Sequence, residues 1–147
     1  MTSLVFRALD KHVVAGLADD TAVQDERGPL SYAELTHESA CVAGAISHLG
    51  VERGTEVAID IPRGRILAIA VLACARLGAV PGAGGAYRFE GETFHTPDTE
   101  VAWDLLMRAG RSEPAPAPHN DPEGYEALMR EAFDDLFSAL LAGGTAT

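Results

Sequence analysis

The sequence predicts an α/β fold: a small parallel or mixed sheet with a βαβ crossover, plus a C-terminal helical extension. Three observations carry that expectation. Glu56-Val57-Ala58-Ile59-Asp60-Ile61 reads as a strand stopped by Pro62, Arg65 to Leu77 is apolar on nearly every side, and Ala79-Val80-Pro81 opens a further strand. A strand, a buried helix and a second strand make the crossover that parallel pairing requires, with a right-handed connection. The last third then repeats apolar residues at helical spacing, from Tyr125 to Leu141. Finally, charge is unevenly divided: residues 1–85 carry seven cations against ten carboxylates, and residues 86–147 four against twelve.

Taken in order, Leu4, Ala8, Leu9, Val13 and Leu17 form a helical stripe over residues 3–17. Thr21 to Asp25 and Leu30-Ser31 are short extended pieces around a Glu26-Arg27-Gly28-Pro29 turn. Ser31 and Glu34 have the spacing of a capping box, in which the serine oxygen accepts from the third amide and the glutamate reaches back. The helix they open closes at Gly50, and the crossover helix closes at Gly78. Tyr87-Arg88-Phe89 and Thr93-Phe94-His95 flank Glu90-Gly91-Glu92 as a hairpin. Thr96-Pro97 reads as a helix start, because proline at the first helical position loses no hydrogen bond. The linker from Arg111 to Asn120 contains Pro114, Pro116 and Pro118, and Asp121-Pro122 reads as the start of one long final helix.

The organisation expected is one compact domain in two parts: an α/β segment, 1–85, and an acidic, mainly helical extension, 86–147, packed on it. The whole chain has 147 residues and a formal net charge of −11. So acidic a surface repels phosphate backbones and anionic lipid, so nucleic acid and membrane are not expected partners. The most apolar run, Ile66 to Ala75, falls short of the roughly 20 residues a bilayer span needs. No basic-plus-apolar signal segment opens the sequence, and Cys41 and Cys74 have no CxxC pattern, which points to reduced thiols and a cytoplasmic protein. The five histidines form no metal-binding spacing, so no metal is expected.

Residues 21–81 resemble the N-terminal segment of the adenylate-forming (AMP-binding) superfamily of acyl-CoA synthetases, luciferases and nonribosomal-peptide adenylation domains. Ala22-Val23 with Asp25 and Gly28-Pro29-Leu30-Ser31-Tyr32-Ala33-Glu34-Leu35 resemble the family's "ltYaeL" region. Leu49-Gly50-Val51 through Gly54 and Val57-Ala58-Ile59 resemble "lGvkpGdrVai", and Leu72 to Pro81 resemble "lAilkaGavyvp". The resemblance implies scaffold, not chemistry, because members bind ATP with a glycine-rich loop ending in lysine and catalyse with a lysine in a C-terminal lid. The sequence departs from the pattern after Pro81. Its single lysine, Lys11, lies upstream of every matching residue, and Gly82-Ala83-Gly84-Gly85 lacks a lysine.

The expectation is therefore a truncated, synthetase-like protein that does not adenylate on its own and has no cofactor. It would serve as an accessory partner of an acyl- or aminoacyl-activating system in specialised metabolism; one alternative is a fragment completing a split synthetase. A further alternative is a small enzyme of another class, with His95, Glu92 and Tyr87 as its candidate catalytic residues. A protein partner or second copy is expected, with a small molecule left open. Candidate interface residues lie on the final helix: Tyr125, Leu128, Met129, Phe133, Leu136 and Phe137 on the apolar side, Glu131, Asp134 and Asp135 on the acidic side. Apolar side chains in that number are worth roughly 1.5–3 kcal/mol each when buried, so they must be covered by this chain or another.

Overall fold

The computed structural model describes residues 2–147. A first helix over residues 4–17 takes the wider π spacing at Phe6–Asp10 and Val13–Leu17. The hairpin of β1 (Thr21–Asp25) and β2 (Gly28–Ser31) leads into α1 (Tyr32–His48). The capping box is formed: Ser31 Oγ accepts from Glu34 N at 3.1 Å, and Ser31 N donates to Glu34 Oε1 at 3.0 Å. Next come β3 (Glu56–Asp60), α2 (Arg65–Leu77) and β4 (Val80–Pro81), with β4 parallel to β3 as the crossover requires. Gly78 closes α2 at φ +74°, a left-handed conformation that disfavours residues with a side chain.

A second sheet strand parallel to β3, β5 (Tyr87–Glu90), begins the hairpin with β6 (Thr93–His95). The mixed sheet runs β4-β3-β5-β6-β7, where β7 is Glu100–Ala102. Register sorts the side chains. Ile59, Phe89, Phe94 and Val101 align on one face, while Ala58, Arg88, His95 and Glu100 align on the other. Phe89 and Phe94 are fully buried, and Phe89 meets Trp103 at 6.1 Å between ring centroids. One face therefore packs against helices and the other meets solvent with charged side chains.

The glycine cluster has a topological role. The chain must step from β4, on one side of β3, to β5 on the other, across the first residue of β3. A Cβ on Gly85 would lie 2.8 Å from the Glu56 carbonyl oxygen, and one on Gly82 would lie 2.2 Å from its carboxylate. Glycine is needed because the loop passes against the Glu56 backbone.

Two helix boundaries differ from the sequence expectation. Thr96-Pro97 does not start a helix: Thr96 N donates to the Thr99 carbonyl, the turn feeds β7, and α3 spans Trp103–Gly110. Pairing with β6 outweighs the local proline signal. Likewise, Asp121-Pro122 does not open one long helix. The segment forms α4 (Tyr125–Ala132) and α5 (Asp134–Leu141), separated at Phe133, whose φ of −135° and ψ of 51° are not helical. Asp121 instead caps the first helix, accepting from Leu4 N at 2.7 Å.

Residues 86–147 pack directly on the preceding segment. Gly110 sits where a Cβ would fall 1.7 Å from the Cys41 carbonyl oxygen, so α3 approaches α1 at backbone distance. Ala115 N donates to the Ala40 carbonyl at 2.9 Å. Tyr125 donates its hydroxyl to the Ala79 carbonyl at 2.7 Å, at the end of α2. Residues 144–147 lie along β1, where Ala146 forms a parallel bridge with Val23. Cys41 and Cys74 are buried and unpaired, and burial pushes the Cys74 thiol up to about 12.

One charged group crosses this core. Arg76 of α2 is 4% exposed, and its guanidinium reaches Asp10 Oδ1 at 2.8 Å, the Ala115 carbonyl at 3.3 Å and Ser39 Oγ at 3.4 Å. Removing one partner of such a pair leaves a charge stranded in the interior. Asp10→Ala is expected to cost about 3 kcal/mol in urea unfolding, and Asp10→Leu with Arg76→Met to recover most of it. Equal losses in the single and double variants would show that the pair does not organise the core.

At the start of α2, Asp25 accepts from Arg65 N at 2.9 Å, from the Arg65 guanidinium at 3.1 and 3.2 Å, and from Arg27 N at 3.0 Å. The Arg65 guanidinium foremost holds the Asp25 carboxyl down at about 2, against an ordinary 3.8. A depressed folded value stabilises the fold above the unfolded value and loses that contribution as pH falls through the folded one. Asp25→Asn should cost about 2 kcal/mol at pH 7, and the difference should close between pH 4 and pH 2. A pH-independent difference would contradict this assignment.

Candidate functional site

The cleft with the largest volume among those described, about 580 Å³, lies between the start of α2, the α4–α5 elbow and residues 145–147. Its floor is apolar: Val23 of β1, Leu67 and Ala68 of α2, and Phe133 and Leu136 at the elbow. Its rim is charged, with Arg63 on one side and Glu131, Asp134 and Asp135 on the other. Arg63 bridges the rim, donating to Asp135 Oδ2 at 2.9 Å and to the Thr147 carbonyl at 3.2 Å. Local sequence explains the walls. Gly64, at φ +149°, brings the chain into α2 beside Asp25, and the break at Phe133 turns the acidic residues of α5 toward Arg63.

Nine residues of the final helical segment were candidates for an interface, and the structure divides them. Tyr125, Met129 and Phe137 are 3%, 1% and 0% exposed, so they fill this chain's own core and are unavailable to a partner, contrary to expectation. Leu128 is 42% exposed; Phe133 and Leu136 are half-buried against the cleft. Glu131, Asp134 and Asp135 are exposed. The heptad-like spacing could not separate these groups, because the elbow at Phe133 rotates α5 relative to α4.

The three catalytic candidates are not brought together as one acid–base site. Tyr87 is half-buried and donates its hydroxyl to the Leu49 carbonyl at 3.1 Å, closing the end of α1 on the sheet. His95 lies on the charged sheet face, with Nε2 3.2 Å from Glu90 Oε1 and Nδ1 3.4 Å from Glu100 Oε2. Its carboxylate neighbours are thus Glu90 and Glu100, and not the candidate Glu92. Glu92 lies in the hairpin turn, beside a separate groove that includes Trp103. Cross-strand register decides this: β6 places His95 opposite Arg88 and Glu100.

Among the described residues, no group of three or more His, Cys, Asp or Glu side chains is arranged to hold a metal ion. No described helix is long and apolar enough to cross a membrane. Lys11 is exposed on the first helix. The glycine loop runs against the exposed Glu56 carboxylate, so the group beside it is an anion, opposite in charge to a phosphate-binding nest. Sequence reasoning missed Arg63 and residues 145–147 as parts of the cleft. Arg63 follows the strand-stopping Pro62, which marks a boundary, but nothing local indicates that the distant chain end folds over it.

Residues 10–82 match the family model described as AMP-binding enzyme. The acetyl-coenzyme A synthetase of Streptomyces avermitilis is 38% identical over 82 residues, covering 52% of this chain and 13% of that protein. The corresponding enzyme of Deinococcus radiodurans is 42% identical over 84 residues, 54% of this chain and 13% of that one. The fold agrees with solved structures. A benzoate CoA ligase from Burkholderia xenovorans superposes with a TM-score of 0.51 at 23% identity, over 55% of this chain and 16% of the ligase. The N-terminal subdomain of Klebsiella oxytoca NpsA gives 0.50 at 23%, over 55% of this chain and 20% of the subdomain. This chain thus matches about 13% of the length of the synthetases to which it is similar. Residues 10–82, about half of this chain, are thus an AMP-binding-like segment similar to the N-terminal region of the adenylate-forming enzymes.

Proposed function

We propose that this chain is a non-adenylating binding module that acts as an accessory partner of an acyl- or aminoacyl-activating system. The observation that carries the reading is the division of labour within residues 86–147. Tyr125, Met129, Phe137 and Leu140 seal the chain's own α/β unit, while the acid-rimmed, apolar-floored cleft stays open. Such a cleft suits a partner segment bearing an apolar side chain for Phe133 and Leu136 and a cation for Asp134 and Glu131. Opposite charge at the rim raises the rate of encounter, and the apolar floor slows release.

Two features support the non-adenylating part of the proposal. The sole lysine is exposed on the first helix, upstream of every residue that resembles the family, and the glycine loop runs against the Glu56 carboxylate. The split-synthetase alternative has weaker support, since residues 144–147 pair on β1 and Tyr125 seals the end of α2 within this chain. The alternative of a separate enzyme has weaker support as well, since Tyr87 is bonded to the Leu49 carbonyl at the end of α1 while His95 lies between Glu90 and Glu100 on the sheet.

The test is direct. Millimolar ATP with magnesium should give no binding heat and no shift in melting temperature; a saturable heat would overturn the non-adenylating reading. Mixed with a complete acyl-CoA synthetase of the same organism, the chain should form a complex in light-scattering chromatography. Asp134→Lys with Glu131→Lys should weaken that complex by at least tenfold, leaving circular dichroism unchanged. Undiminished binding by this variant would remove the cleft from the interface.

A further inference from the structure

Six of the ten arginines form ion pairs: Arg7, Arg63, Arg65, Arg76, Arg88 and Arg130. Among the described residues, Arg27, Arg53, Arg108 and Arg111 have no carboxylate within 4.0 Å. Arg53 instead donates to the Asn120 carbonyl. The other three line one groove of about 470 Å³ between the β1–β2 turn and α3. This convergence is notable in a chain with twice as many carboxylates as cations. Arg108 and Arg111, three residues apart around the end of α3, repel each other, and Arg27 approaches from the opposite wall.

The groove's construction suits a ligand. Trp103, 7% exposed, and Met107 give it an apolar wall. Glu38 of α1 lines it too, with Arg27 close enough to act on its charge. Burial first, and then the neighbouring Glu34, push the Glu38 carboxyl upward. With Glu92 and Asp104 also on its lining, the groove holds three carboxylates and three guanidiniums, so its formal charge is balanced. A monoanion therefore gains little there, whereas one molecule with several anionic oxygens can engage several guanidinium forks at once.

We propose that this groove binds a small oligoanion, its phosphoryl or carboxylate oxygens held by Arg27, Arg108 and Arg111. The site draws on α3, outside the residues that match the family, and is separate from the acid-rimmed cleft. Trp103 is the chain's only tryptophan, so its fluorescence reports occupancy directly. The protein is titrated with pyrophosphate and, separately, with citrate, at ionic strength held constant with sodium chloride. The expected result is a saturable fluorescence change with at least one of them. Arg108→Gln with Arg111→Gln should weaken it by at least tenfold, as should Arg27→Gln, whose backbone bond to Asp25 is untouched. Arg53→Gln should leave it unchanged. Tighter pyrophosphate binding assigns a phosphoryl group, and tighter citrate binding a carboxylate. A response that sodium chloride reproduces, that never saturates, or that survives all three groove substitutions overturns the proposal.

Discussion

A guanidinium inside an apolar helix constrains the packing of this chain more than any other group. Arg76 lies on a helix whose neighbouring residues from Ala68 to Ala75 are all buried, and a charge in that setting must be paired and hydrogen-bonded. Its partners come from three places: Asp10 from the first helix, Ser39 from α1 and the Ala115 carbonyl from the proline-containing linker. Meeting that requirement brings both flanks of the family-like segment onto α2. Nearby backbone contacts reinforce it, with Gly110 against Cys41 and Ala115 bonded to Ala40.

Long-range caps extend the same logic to the helix ends. The first helix is capped by Asp121, and α2 receives the Asp25 carboxylate at its first amide. His12 donates from Nε2 to the Leu140 carbonyl at 2.7 Å, tying α5 to the first helix. Orphan helix-end groups must find partners, and here distant residues supply them. The result is an extension that completes the α/β unit while leaving two different surfaces. One is an acid-rimmed apolar cleft at the elbow, and the other is a groove lined by unpaired arginines.

Much of the fold was legible because its signals are local. Ser31 and Glu34 cap α1 from three residues apart, Gly78 ends α2, and the apolar run between two extended pieces gives the crossover. The β5–β6 hairpin follows from alternating residues around Gly91. The site was much less legible. His95 finds Glu90 and Glu100 through cross-strand register, and Thr96-Pro97 yields to pairing with β7. The final stripe from Tyr125 to Leu141 correctly marks apolar helical residues, yet their spacing holds no trace of the turn at Phe133 that separates core from cleft.

By itself, the sequence determined the family resemblance of residues 21–81, the helices and strands they form, and the concentration of acidity in the last third. Those properties depend on residue identity and short spacing. Only the tertiary structure decided which apolar residues are covered, which carboxylates neutralise Arg65 and Arg76, and which arginines remain unpaired. Those outcomes depend on through-space distances between segments as much as 128 residues apart, as between His12 and Leu140, and no local pattern encodes them.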